Sequence, residues 1–200
     1  MKSIGILGAG QIGSAFAQLL ARHQIPAVIA NSRGPASLAE LVKALGPGIR
    51  AGTREEAAAQ DIVLVAVNWS KLPTALAGLP DWQGRIVIDA NNPIEAPLFQ
   101  PLELGGRLSS EIVAELVPGA RVVKAFNHLK VALMTSDPHA EGGRRVLFYS
   151  GDDAPARAEV GDLIDQLGFF GIDLGTPAVG GQLAQFPGGP LLALNLAKFG

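Results

Sequence analysis

Cysteine is absent from the 200 residues, which excludes disulfides, thiolate nucleophiles and cysteine zinc sites. Histidine is scarce: His23, His128 and His139 lie far apart, without the spacing of a ligand set, so no metal site is expected. Only 17% of residues are charged and the net charge is -2, with acids and bases mixed, so neither a nucleic-acid partner nor an anionic membrane is expected. Arg144 and Arg145 form the one tight basic pair and read as a solvated entrance to a strand. Long apolar runs are missing too; IVLVAV, beginning at Ile62, is far short of the roughly 20 residues a membrane helix needs. Met1 leads directly into a strand-like stretch with no basic head or long apolar centre, so a cytoplasmic protein is expected. The single tyrosine, Tyr149, has no lysine four residues on, which with the lack of zinc ligands excludes short-chain and zinc-type alcohol dehydrogenases. In 200 residues, the long helical domain that many hydroxyacid and imino-acid dehydrogenases use as a substrate site is not expected, and the acceptor is expected to dock on the nucleotide domain itself.

What is abundant is apolar material, 48% of the chain, enough for a sizeable core. Short runs rich in Val and Ile alternate with stretches of helical period. Ile4 to Leu7 reads as a strand, and Ile12, Ala15, Phe16, Leu19 and Leu20 then mark one face of a helix. Ala27 to Ala30 resumes a strand; Leu38, Leu41, Val42 and Leu45 mark a second helix between Pro35 and Gly46. Thr53 and Glu56 form a capping box. Further strands are read at 62–67, 85–89, 121–126, 145–150 and 169–174, with a helix between the last two whose inner face is Val160, Leu163, Ile164 and Leu167. Strands apolar on both faces and separated by crossover helices predict an α/β fold, a Rossmann-type doubly wound parallel sheet. Residues 1–150 are expected to form its nucleotide-binding domain, and 151–200, rich in Gly and Pro from 175 onward, a small C-terminal lobe packed on it.

The turn between the first strand and the first helix reads GAGQIG, comprising Gly8, Ala9, Gly10, Gln11, Ile12 and Gly13. The spacing alone is weak, but its place between strand and helix is the context a dinucleotide turn requires. Gly8 permits the tight turn, Gly10 lets backbone approach a pyrophosphate, and Gly13 lets the helix pack closely on the strand. Amides at the helix N-terminus then face the anion. At the end of the second strand, where a carboxylate would hold an NAD ribose, stand Asn31, Ser32 and Arg33. A hydroxyl and a guanidinium without a repelling acid fit the 2′-phosphate of NADP(H), although a solvated loop of turn residues has the same composition.

Three other strand ends are polar: Val67-Asn68-Trp69, Ala90-Asn91-Asn92, and Asn127-His128. Their amides are suited to a nicotinamide carboxamide and a hydride-accepting site, and each Asn is equally suited to a turn. Trp69 either walls a ring-shaped substrate or plugs the surface. Lys124, in an otherwise apolar strand, is expected to snorkel. His128 is the one candidate general acid, and alone it also fits an ordinary hydrogen-bonded histidine.

In order, GAGQIGSAFA, NSRGPASL, VLVAVNW, IVIDANNP, VVKAFNHL, the GDD at 151–153 and FPGGPLLALNL resemble the NADPH-dependent deazaflavin (factor-420) reductase family, itself similar to the cytosolic domain of six-transmembrane ferric reductases. The resemblance spans nearly the whole chain. It implies that Gly8, Gly10, Ile12, Ser32 and Arg33 hold NADP(H), that a deazaflavin or flavin second substrate stacks on the nicotinamide, and that a small C-terminal lobe closes over it. It also implies a homodimer, and gives Phe186 to Pro190 and Asn195 a place in the lid or dimer contact. Three positions depart from the family pattern: Asn68 stands where proline is expected, Asn91 where threonine is usual, and His128 where a small hydroxyl residue is common. All three lie at the acceptor end, so other readings stay open: a reductase of a small carbonyl or imine with His128 as acid, or a non-catalytic NADPH-binding redox sensor.

Overall fold

Strand and helix alternate as the apolar spacing requires, in a computed structural model that describes residues 2–95, 100–139 and 142–200. Strand β1 (Ile4–Leu7) leads into α1 (Gln11–Arg22), β2 (Ala27–Ala30), α2 (Ala39–Leu45), β3 (Ile49–Ala51), α3 (Arg54–Ala58) and β4 (Ile62–Val65). After α4 (Leu72–Leu76) and β5 (Ile86–Asp89), β6 (Ile94–Glu95) and β7 (Gln100–Pro101) pair antiparallel apart from the main sheet. The chain continues through α5 (Ser109–Leu116), β8 (Arg121–Ala125), α6 (Val131–Thr135), β9 (Arg144–Gly151), α7 (Ala154–Gln166) and β10 (Phe170–Asp173). It ends with α8 (Gln182–Ala184) and β11 (Ala197–Lys198).

The sheet runs β10-β9-β8-β5-β4-β1-β2-β3, and every neighbouring pair from β3 to β8 is parallel. Side chains alternate across it: Ile62, Leu64, Ile86 and Ile88 join α1 and α7 on one face, while Val63, Val65 and Val87 join α3 to α5 and Trp82 on the other. This is the doubly wound Rossmann-type arrangement, with one correction. β9 lies antiparallel to β8. The reason is the connection: α6 packs on α1 rather than carrying the chain back to the amino edge of the sheet, so β9 starts at the edge where β8 ended. β3 is an addition; three residues with one buried side chain give no usable period.

Residue 150 lies within β9, and the segment beyond it adds α7 and β10 to the sheet before the chain leaves it. The first residues of β9 project past the end of β8, and β11 pairs with them antiparallel at Arg145 and Arg144. Arg145 is therefore buried rather than solvated. Its Nη1 donates to the Leu133 carbonyl, Ser136 Oγ and the Asp137 carbonyl at 3.1, 2.9 and 3.1 Å, and its Nε to Asn195 Oδ1 at 3.0 Å. No described helix is long and apolar enough to cross a membrane.

Candidate functional site

The strand order reverses between β1 and β4, and the carboxyl ends of the strands there open a crevice of the kind in which α/β sheets bind ligands. The glycine turn forms its floor. Gly8 has a φ of +110°, and a Cβ there would lie 2.1 Å from the Ala66 carbonyl oxygen, so the turn and the end of β4 are in direct contact. A Cβ on Gly13 would lie 1.9 Å from the Gly8 oxygen, which is the close packing of helix on strand read from the sequence. Gly10 differs from both: a Cβ there meets no atom within 4 Å. Protein packing does not account for glycine at position 10, whereas an anion approaching the backbone does. Gly10 is also the N-cap of α1, with no side chain capping the helix and no acidic residue in its first turn. The amides of that turn are available to a diphosphate, and the helix dipole favours one.

At the end of β2, Asn31 organises the loop. Its Oδ1 accepts from the Arg33 N–H at 2.9 Å and from Ser37 Oγ at 3.1 Å, and its Nδ2 faces the same hydroxyl at 2.9 Å. Ser32 and Arg33 are exposed, and their side chains bond to no described residue. A guanidinium and a hydroxyl held out beside the turn suit a phosphate monoester.

The four asparagines expected at the nicotinamide end divide. Asn68 is exposed at the end of β4, ahead of the half-buried Trp69, with its side chain free of described partners. Asn91 is buried and fully used: its Nδ2 donates to the Val65 carbonyl at 3.0 Å and to Asp89 Oδ1 at 2.8 Å, and its Oδ1 accepts from the Val67 N–H at 3.0 Å. Asn92 and Asn127 bond to each other across the ends of β5 and β8. Asn92 Nδ2 reaches the Asn127 carbonyl at 2.8 Å, and Asn127 Nδ2 reaches Asn92 Oδ1 at 3.1 Å and the Ala184 carbonyl at 3.0 Å. Ala90 is buried, so only its backbone could meet a ligand, while Val67 is half-buried beside the turn.

His128 corrects an expectation. It is 2% exposed, and its Nε2 accepts the Phe148 N–H at 3.0 Å, completing the edge of β9 just past its last pairing with β8. Burial pushes its pKa down to about 4, so the ring is neutral at pH 7 and carries no acidic proton to give. Lys124 does not snorkel. It is 4% exposed and its Nζ lies 2.9 Å from Asp89 Oδ2, on a carboxylate with no exposure. The sequence reading missed Asp89 as a partner, because nothing in the sequence alone places β5 beside β8; Asp89 and Lys124 are register neighbours. Phe126 was also missed: it is buried with a φ of +63° and packs edge-on to Phe16, ring centroids 5.0 Å apart, turning the chain just before Asn127. No group of three His, Asp or Glu among the described residues could hold a metal.

Comparisons with known proteins agree with this geometry. Residues 3–93 match the family model described as NADP oxidoreductase, coenzyme F420-dependent. The solved structure of a hypothetical protein, SMa0349 from Sinorhizobium meliloti, is 49% identical with a TM-score of 0.94, over 99% of this chain and 96% of that one. A candidate F420-dependent NADP reductase from Arthrobacter sp. FB24 is 29% identical with a TM-score of 0.74, over 89% of this chain and 86% of that one. Metalloreductase STEAP3 of Rattus norvegicus is 29% identical over 92% of this chain, which spans 36% of that relative's length. With the turn, the helix end and the strand order they accompany, these matches make residues 3–93 similar to the coenzyme F420-dependent NADP oxidoreductases and identify the chain as an NADP-dependent oxidoreductase of Rossmann fold.

Proposed function

We propose that the protein transfers a hydride between NADPH and the ring of a deazaflavin or flavin-type acceptor laid against the nicotinamide at the ends of β4 and β5. The observation that carries this reading is the commitment of the titratable groups at the ends of β5 and β8. His128 is neutral and bonded to Phe148, and Lys124 is bonded to Asp89. A carbonyl or imine acceptor needs a proton as its heteroatom takes up charge, and neither group supplies one. Stacked rings need mainly proximity and orientation, to which an edge of backbone, amides and an indole contributes.

On this reading the backbone of Gly8, Ala9, Gly10, Gln11, Ile12 and Gly13 holds the diphosphate. Ser32 and Arg33 hold the 2′-phosphate, on a loop shaped by Asn31. Val67, Asn68, Trp69 and the backbone of Ala90 and Asn92 surround the nicotinamide. Residues 1–150 carry the coenzyme, and 151–200 complete the sheet and pack beside the acceptor, Asn127 joining the two parts through Ala184. The protein works in the cytoplasm as a homodimer, an oligomeric state that static light scattering on the purified chain measures directly. NADPH supplies the hydride and its electron pair, and leaves as NADP+.

The test is an acceptor screen that follows nicotinamide absorbance with deazaflavin, flavins, quinones and small imines. Turnover with the ring acceptors is expected. Turnover with imines alone, or tight NADPH binding with no turnover on any of them, would replace this reading by an imine reductase or by a redox sensor. The coenzyme half has its own check: Arg33→Ala should lower the preference for NADPH over NADH by about tenfold or more, the loss of a charge-assisted hydrogen bond.

A further inference from the structure

A polar network at the ends of β4, β5 and β8 has no part in the hydride transfer proposed above. Lys124 uses all three of its donors: Asp89 Oδ2 at 2.9 Å, Ser109 Oγ at 3.1 Å, and the Asn91 carbonyl. Asp89 Oδ1 accepts from the Asn91 N–H at 3.0 Å and from its Nδ2 at 2.8 Å. Asn91 passes the connection to β4 through the Val65 carbonyl and the Val67 N–H, both at 3.0 Å. Three strands and the start of α5 are thus joined by one fully bonded chain of polar groups. Burying an ion pair rarely adds stability over apolar residues of the same size, so stability does not account for this one; a bonded network does fix geometry. It ends at a functional place. Val67 follows Ala66, whose carbonyl presses on Gly8 in the glycine turn.

We infer that Asp89 and Lys124 are positioning residues: acting through Asn91, they set the backbone of Val67 and Asn68 against the glycine turn and so shape the nicotinamide end of the crevice. The diphosphate and adenosine ends are set separately, by the β1–α1 turn and the loop after β2. This inference rests on the reading that NADPH lies in this crevice.

Two variants test it. Asp89→Leu combined with Lys124→Met removes both charges together, and Asn91→Ala cuts the link to β4 while leaving the ion pair in place. Each is compared with the parent in thermal midpoint, in affinity for NADPH, in affinity for adenosine 2′,5′-bisphosphate, which lacks the nicotinamide, and in fluorescence anisotropy of the bound reduced nicotinamide. Folded variants should bind the bisphosphate within about twofold of the parent, bind NADPH about tenfold more weakly, and let the bound ring rotate more freely. If the double variant does not fold, Asn91→Ala carries the test alone. Unchanged NADPH affinity and anisotropy, or equal loss of both ligands, overturns the positioning role. A parent protein that binds neither ligand overturns the coenzyme reading itself, and the inference with it.

Discussion

Single residues in this chain separate ligand space from packing space. Gly10 and Gly13 belong to the same motif, yet a Cβ on the first meets no atom and on the second meets a carbonyl oxygen at 1.9 Å. Gly13→Ala should therefore cost about 3 kcal/mol of stability through overpacking, read as a lower denaturant midpoint. Gly10→Ala should leave the midpoint nearly unchanged while weakening NADPH binding at least about tenfold, since the methyl group enters the space the diphosphate would occupy. Equal effects from the two changes would contradict this division. His128 gives the pH counterpart. Its folded pKa is pushed down to about 4 by burial. Above its ordinary value of 6.5 the ring is neutral in both folded and unfolded chains and contributes no pH dependence. As pH falls from there toward 4, the unfolded chain takes up a proton that the folded chain refuses, so stability falls by about 3 kcal/mol in all. In His128→Gln, where an amide oxygen can accept from Phe148, the loss of unfolding free energy between about pH 7 and pH 4.5 should be smaller by roughly 2 kcal/mol. An identical pH dependence in the two proteins would show that the imidazole is not held neutral.

Secondary structure was legible wherever a period had room to repeat. The i, i+3, i+4 faces of α1 and α7 and the apolar runs of β1, β2, β4 and β5 stand where their spacing put them, because each buries a continuous face. Short pieces such as β3 and β11 were not legible, since two or three residues carry no period. Strand direction was not legible either: the residues of β9 specify a strand, but its antiparallel course is set by where α6 leaves the chain. The same limit hid the Asp89–Lys124 pair, which exists only once β5 and β8 are neighbours. The glycine turn and the loop after β2 could be read as motifs because their geometry is local. The asparagines could not be assigned, because whether an amide faces ligand or protein is decided by the strand beside it. β11 gives a prediction at this scale. Asn195 Oδ1 accepts from Arg145 Nε at 3.0 Å, the Leu196 carbonyl accepts from the Val146 N–H at 2.8 Å, and the Ala193 N–H donates to the His128 carbonyl at 2.9 Å. Asn195→Ala removes the anchor on the buried guanidinium, a hydrogen bond of about 1.5 to 3 kcal/mol, so exchange of the Val146 amide should quicken by about tenfold or more. Amides in β1 and β4 should keep their protection. Unchanged exchange at Val146 would show that β11 is held by something else.

For the molecule as a whole, one core runs through both parts of the chain. Val160, Leu163, Ile164 and Leu167 from α7 and its exit belong to the same buried cluster as Ile4, Phe16 and Phe126. Fully burying four such side chains contributes about 6 to 12 kcal/mol, as large as the whole stability margin of an ordinary domain. The glycine turn proposed to bind the coenzyme therefore depends on residues that lie more than a hundred positions later in the chain and touch no part of the crevice. Heating the full chain should give one calorimetric transition, and NADPH should move that transition as a unit, by an amount that grows with the logarithm of its concentration above the dissociation constant. A chain cut after Ser150 keeps every residue proposed to bind the coenzyme, but loses β10 and the helix that packs on β8 and β9 and shares their core. It should lack a cooperative transition and fail to bind adenosine 2′,5′-bisphosphate. Cooperative unfolding of that fragment with the ligand bound would mean that the sheet is complete at β8, and that β9, α7 and β10 are an attachment rather than part of the frame that holds the site.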